Sequence, residues 1–165
     1  MNSFYTESHE YFDSESAVPL KNMNIKRVII CVGTNDILNT NIPITRLYIP
    51  IQQMLRKAQL LFQCKVVLQS VIPIPGKSRQ VADMVYQFNR TAAEACRSLG
   101  CYFLDVFNDF LQCDSFRRFF AFRRNSREID IHPNREGCSI LARAYIVIIR
   151  GSFNPVIHTG KRYAS

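Results

Sequence analysis

The sequence predicts an α/β fold, an open parallel sheet with helices on both faces, and three observations predict it. Short apolar runs alternate with longer stretches whose apolar residues recur at helical spacing. Their order is strand, helix, strand, helix, strand, helix, which is the repeat of βαβ units rather than of hairpins. The short runs are apolar nearly throughout, as strands covered on both faces are.

Residues 28–32, VIICV, are bounded by Lys26-Arg27 and by Gly33 and read as the first buried strand. A loop holding Pro43 leads to TRLYIPIQQMLRKAQLLF, where Ile51, Met54, Leu55, Ala58, Leu61 and Phe62 share one helical face and Pro50 marks the first turn. KVVLQSVIPIP is a second strand, stopped by Pro73, Pro75 and Gly76. In the next segment Val81, Met84, Val85, Phe88, Ala92, Ala95, Cys96 and Leu99 form a second helical face, and Gly100 stands where a helix end takes a left-handed residue. CYFLDVF reads as a third strand, with Asp105 inside it. A basic, aromatic loop over residues 112–131 then leads to HPNREG and a final helix, CSILARAYIVII.

Length and composition bound what such a fold does. At 165 residues the chain is one domain by size, able to bury about two thirds of its unfolded surface. With 47% hydrophobic residues, disorder is confined to the ends. The expected division is an acidic polar segment over residues 1–24, the α/β domain over 25–152 and a C-terminal tail over 153–165. No apolar run reaches about 18 residues, so no span crosses a membrane. The N-terminus lacks the basic flank and apolar core of a secretory leader. The expectation is a reducing, cytoplasmic setting. The six cysteines contain no CxxC pair, and buried free thiols are the expectation over a disulfide framework. His9, His132 and His158 make no ligand spacing, so neither a metal nor a cofactor is implied.

The net charge of +8 is uneven. Residues 1–20 hold four acids and no Lys or Arg, which leaves the rest of the chain with a larger excess suited to a polyanion. SFRRFFAFRRNSR sets Arg117, Arg118, Arg123, Arg124 and Arg127 among four phenylalanines. In one account the arginines neutralise RNA phosphates while Phe or Arg planes stack on bases, with Lys26 and Arg27 extending the surface. In the other, the phenylalanines face the core and the arginines are merely solvated.

Ligands of open parallel sheets sit beyond the carboxyl ends of the strands. Asn35 and Asp36 lie just past the first strand, where a side-chain amide can donate to a developing oxyanion and Asp36 caps the loop. His132, in DIHPNREG, is placed to act as a general base if a carboxylate holds its tautomer.

VGTND followed by DIHPNREGCSILA resembles the SGNH (GDSL) hydrolase superfamily of flavodoxin-like esterases and lipases. The resemblance covers residues 26–150 and implies a flavodoxin-like three-layer parallel sheet, here lacking the first strand or strands. It implies that Asn35 matches the oxyanion asparagine and His132 the catalytic histidine. The departures are specific. No glycine precedes Gly33, so the Gly-Asp-Ser nucleophile turn and the second-block glycine are missing. Ser3, Ser8, Ser14 and Ser16 follow no strand. Ile129 stands where the family places an aspartate three residues before the histidine, and Asp130 stands two before, outside the usual geometry.

The C-terminal stretch also resembles the OSK domain of the insect germ-plasm protein Oskar. That likeness implies a non-catalytic RNA-binding domain in a ribonucleoprotein assembly, with other germ-granule proteins as partners. The alternative is an SGNH/GDSL-type esterase or lipase truncated at its N-terminus. A protein-interaction module is the third class considered.

Overall fold

The computed structural model describes residues 24–39, 43–112, 115–122 and 128–151. The expected N-terminal segment (apart from Asn24), the tail 153–165, and Arg123, Arg124 and Arg127 lie outside these residues.

Three parallel strands, β1 (Arg27–Cys31), β2 (Lys65–Gln69) and β3 (Tyr102–Leu104), form a sheet in the order β1-β2-β3. Because the strands are parallel, each connection must cross back over the sheet, and helices do so. Helix α1 (Thr34–Asn39) and a 3-10 turn (Ile44–Leu47) lead into α2 (Tyr48–Phe62), and α3 (Arg79–Leu99) joins β2 to β3. Strand side chains alternate between faces. Ile30, Val66, Leu68 and Phe103 pack with Ile51, Leu55, Val85, Phe88 and Ala92 of α2 and α3. Ile29, Val67 and Leu104 point the other way, onto Leu141, Ala144 and Ile148 of the last helix, α5 (Arg135–Ile149). The molecule is therefore a three-layer α/β fold.

Two polar side chains tie the layers without leaving orphaned groups. The buried Asn89 on α3 accepts from the Val71 N–H at 2.8 Å and donates to the Val71 carbonyl at 2.9 Å, holding the chain just past β2 as a strand neighbour would. The buried Ser70 hydroxyl accepts from the Phe107 N–H at 2.9 Å, joining the ends of β2 and β3.

The last part of the chain departs from expectation. The third strand ends at Leu104, and Asp105 caps helix α4 (Val106–Leu111) by accepting from the Asn108 N–H at 3.3 Å. Residues 34–39 are a helix, where a loop is expected, with Asp36 buried in its first turn. The stretch 112–131 is not one loop. Its described part holds a 3-10 turn (Phe116–Phe119), then β4 (Phe120–Phe122), which pairs antiparallel with β5 (Ile129–Pro133). The physical reason is apolar burial. Phe110, Phe119 and Phe120 form their own cluster, with ring centroids 5.6 to 5.7 Å apart, and Phe116 stacks edge-on to Phe120 at 6.3 Å. The cysteine expectation holds in part. Cys96 and Cys101 are buried free thiols, raised by burial to about 12 and about 11, whereas Cys31 and Cys138 are free but exposed.

Candidate active site

Helix α5 runs antiparallel to β1. Its far end lies beside the start of β1, where a Cβ added to Gly151 would sit 3.4 Å from the Arg27 guanidinium, while Tyr145 reaches Cys31 at the strand's other end. The start of α5, and His132 just before it, therefore project past the carboxyl ends of the strands. Asn35 lies on that same edge, one residue into α1. These sequence-derived candidates share the edge where open parallel sheets bind ligands.

Gly33 makes the turn from β1 into α1. Its φ is +110°, and a Cβ there would collide with the Phe88 ring and Val71, so only glycine fits. The Gly33 carbonyl accepts from the Ile37 N–H at 3.0 Å and opens the helix. Asn35 is thereby presented outward. It is exposed, and among the described residues its side chain makes no hydrogen bond.

His132 belongs to β5 rather than to a loop. Its Nδ1 lies 2.8 Å from Asp130 Oδ1. The backbone N–H groups of Ile131 and His132 donate to the same oxygen at 2.6 and 3.3 Å. The bond from the His132 side chain is the main cause that holds the Asp130 carboxyl below its ordinary value; partial burial opposes it, and the two backbone donors add to it. An ionised carboxylate only accepts, so Nδ1 is the donor in this pair and Nε2 is the ring nitrogen that faces away from it. Asp130, two residues before His132, thus does reach the ring. Two residues of spacing suffice because both lie on a short strand whose carboxylate folds back on its own backbone.

Asn134 fixes where this strand meets α5. Its Oδ1 accepts from the Glu136 and Gly137 N–H groups at 2.9 and 3.1 Å, capping the helix, and its amide donates to the Arg118 and Phe120 carbonyls at 2.7 and 3.2 Å. Sequence reading missed this residue, although an asparagine followed by a glutamate before an apolar helix is a capping signal.

Nucleophiles are limited. Among the described residues His132 bonds no serine or cysteine. Cys31 is exposed as a residue, yet its sulfur turns inward, donating to Gln69 Oε1 at 3.3 Å and lying 3.6 Å from the Tyr145 hydroxyl. Burial raises its pKa, which keeps it a thiol. The Tyr145 hydroxyl donates to Gln69, and burial followed by the neighbouring Cys31 raises its pKa as well. No group of three or more metal-ligating side chains exists among the described residues.

The basic set divides. Arg117 and Arg118 lie on the 3-10 turn near the start of α5, and Lys26 and Arg27 lie at its other end, about 22 Å away along a helix of this length. Arg118 pairs with Glu136 at 3.2 Å and lies over the Phe119 ring at 5.2 Å. Among the described phenylalanines of this stretch, Phe116, Phe119 and Phe120 pack in or against the core and Phe122 is 69% exposed.

A parallel sheet covered by helices on both faces, with Asn35 and the His132–Asp130 pair toward its carboxyl edge, is a three-layer α/β architecture of the flavodoxin-like kind. The family follows from comparison: residues 6–140 match the model of the GDSL-like Lipase/Acylhydrolase family, and the chain belongs to it. No curated protein matches the sequence. Among solved structures, the chain is similar to an acetylxylan esterase from Geobacillus stearothermophilus (TM-score 0.67, 18% identity, 95% of this chain and 71% of that one). It is also similar to an α/β hydrolase enzyme from the metagenome of Lake Arreo, Spain (TM-score 0.65, 16% identity, 93% and 70%). At these identities the likeness shows the fold. No helix among the described residues is long and apolar enough to cross a membrane.

Proposed function

We propose that this chain carries acyl-ester hydrolase chemistry, with His132 as general base, Asp130 as the residue that orients it, and Asn35 as an oxyanion donor. The single observation that carries the reading is the 2.8 Å contact between His132 Nδ1 and Asp130, which leaves Nε2 open on the carboxyl edge. In the reaction, Nε2 takes the proton from the attacking hydroxyl, the hydroxyl oxygen bonds to the acyl carbon, and the negative charge that develops on the carbonyl oxygen meets the Asn35 amide. The same histidine then returns the proton to the alcohol as the acyl–oxygen bond breaks; where a serine attacks, water deprotonated at Nε2 repeats the step, releasing the acid and restoring the serine hydroxyl. Family membership and the esterase among the fold neighbours support this over the RNA-binding reading. The attacking group is sought among Ser3, Ser8, Ser14 and Ser16, all outside the described residues, or is water. The test is hydrolysis of p-nitrophenyl acetate by the full chain. His132→Ala is expected to lower the rate by about 10²-fold or more, the usual worth of a positioned base. A wild-type rate no faster than buffer overturns the reading.

RNA binding of the kind implied by the OSK resemblance stands second, with a ribonucleoprotein assembly and germ-granule proteins in the cytoplasm as its setting. Its support is one exposed aromatic, Phe122, on the strand that follows Arg117 and Arg118. Ultraviolet crosslinking to a mixed RNA pool that is lost in Arg117→Glu would favour it, and a salt-independent signal would remove it.

A further inference from the structure

The His132 side chain is 77% exposed, and among the described residues its ring has one hydrogen-bond partner, Asp130. Packing therefore does not fix where Nε2 points, and the backbone must. That backbone is irregular. Phe120 stands opposite Pro133 and Phe122 opposite Ile129, so Ala121 alone faces the three residues Asp130, Ile131 and His132. The N–H groups of Ile131 and His132 turn back to Asp130 Oδ1. A bulge of this kind re-aims a side chain and interrupts the ladder that would otherwise hold it.

The firm end of the bulge is Asn134. Its Oδ1 accepts two bonds and its amide donates two, and its backbone adds two more: the N–H donates to the Phe119 carbonyl at 2.8 Å, and the carbonyl accepts from the Cys138 N–H at 2.8 Å. One residue thus joins the 3-10 turn, β4 and α5. Gly137 closes the same joint, because a Cβ there would collide with the Phe119 carbonyl oxygen and with Pro133. Between this joint and the base stands only Pro133, whose ring fixes its own φ and restricts His132 to extended backbone. A shift at Asn134 meets few free dihedrals before it reaches the imidazole.

We propose that Asn134 is a positioning residue: through Pro133 it sets the direction in which His132 Nε2 points, in addition to starting α5. The inference rests on the hydrolase reading where it concerns rate, and the contact between His132 and Asp130 tests it without that reading.

Asn134→Ser in the full chain separates the two roles. Serine caps a helix about as well as asparagine does, so the bonds to the Glu136 and Gly137 N–H groups have a replacement, while the donors to the Arg118 and Phe120 carbonyls are lost. The Tm is expected to lie nearer the wild type than that of Asn134→Ala. In the same variant kcat for p-nitrophenyl acetate is expected to fall about tenfold or more with KM unchanged, as misplacement of a base does. The Asp130 carboxyl titration, followed by NMR, should rise toward 3.8 as the His132 bond that holds it down loosens. A serine variant that keeps the wild-type kcat overturns the proposal and leaves Asn134 a cap. If the wild type itself hydrolyses no ester, the hydrolase reading fails and the Asp130 titration decides alone: a rise in the serine variant supports Asn134 as the residue that orients the pair, and an unchanged titration overturns it. Asn134→Thr, another neutral cap, is read in the same ways if the serine variant does not fold.

Discussion

At the scale of single residues, Asp130 ties local geometry to pH. Its lowered pKa is a statement about stability: the contribution is fully present above the ordinary value of 3.8 and is lost as the pH falls through the lower, folded value. Because the His132 side chain is the main cause, His132→Ala is expected to return the Asp130 titration toward 3.8, read from the carboxyl carbon by NMR. An unchanged titration would mean that the two backbone donors alone hold the carboxylate. Asn89 makes a second residue-scale case. It is 7% exposed and satisfies both polar groups of Val71, so Asn89→Ala leaves a buried donor and a buried acceptor unpaired. A loss of about 2–4 kcal/mol is expected in urea unfolding, from two groups at about 1–3 kcal/mol each with some relaxation. A loss below about 1 kcal/mol would mean that water replaces the amide there.

At the scale of elements, the hairpin, the 3-10 turn and the start of α5 form one unit clamped by Asn134. Asn134→Ala removes a helix cap, worth about 1 kcal/mol, and also two donors to carbonyls of the preceding turn and strand. The expected result is a lower Tm and faster amide exchange in β4 and β5, with exchange in β2 unchanged. Equal acceleration in both would show the hairpin folding as one with the main sheet. The same unit marks where the sequence was legible. The parallel strands were readable because VIICV and KVVLQ are apolar runs between sharp stops. The helices were readable because their apolar faces recur at helical spacing, and Gly100, with φ of +64°, ends α3 as its position suggests. The hairpin was hidden because Arg117 and Arg118 interrupt the phenylalanines; that these face the core was one of two accounts the sequence allowed, and it holds for Phe116, Phe119 and Phe120 in the Phe110 cluster. Asn35 and His132 were named as candidates by motif. The bond from His132 to Asp130 was not, because it depends on a carboxylate bending back along its own strand, which residue spacing does not convey.

At the scale of the whole molecule, the fold is lopsided in a way that sets its dynamics. β2 is central, paired on both sides and buried from Val66 to Gln69, with one layer of α2 and α3 against one face and α5 against the other. Among the described residues β1 has the same apolar character but pairs on one side only. Amides of β2 should therefore exchange only when the whole domain unfolds. Those of β1 that point outward exchange through local opening, at a smaller free energy. Native-state hydrogen exchange at rising denaturant checks this, with β2 tracking the global transition and the outward β1 amides already exchanged. If β1 is instead as protected as β2, its other side is covered in solution. The ordering of these two strands thus reads directly whether the backbone groups on the outer side of β1 are paired in solution, because an unpaired side is what would make β1 the weaker strand.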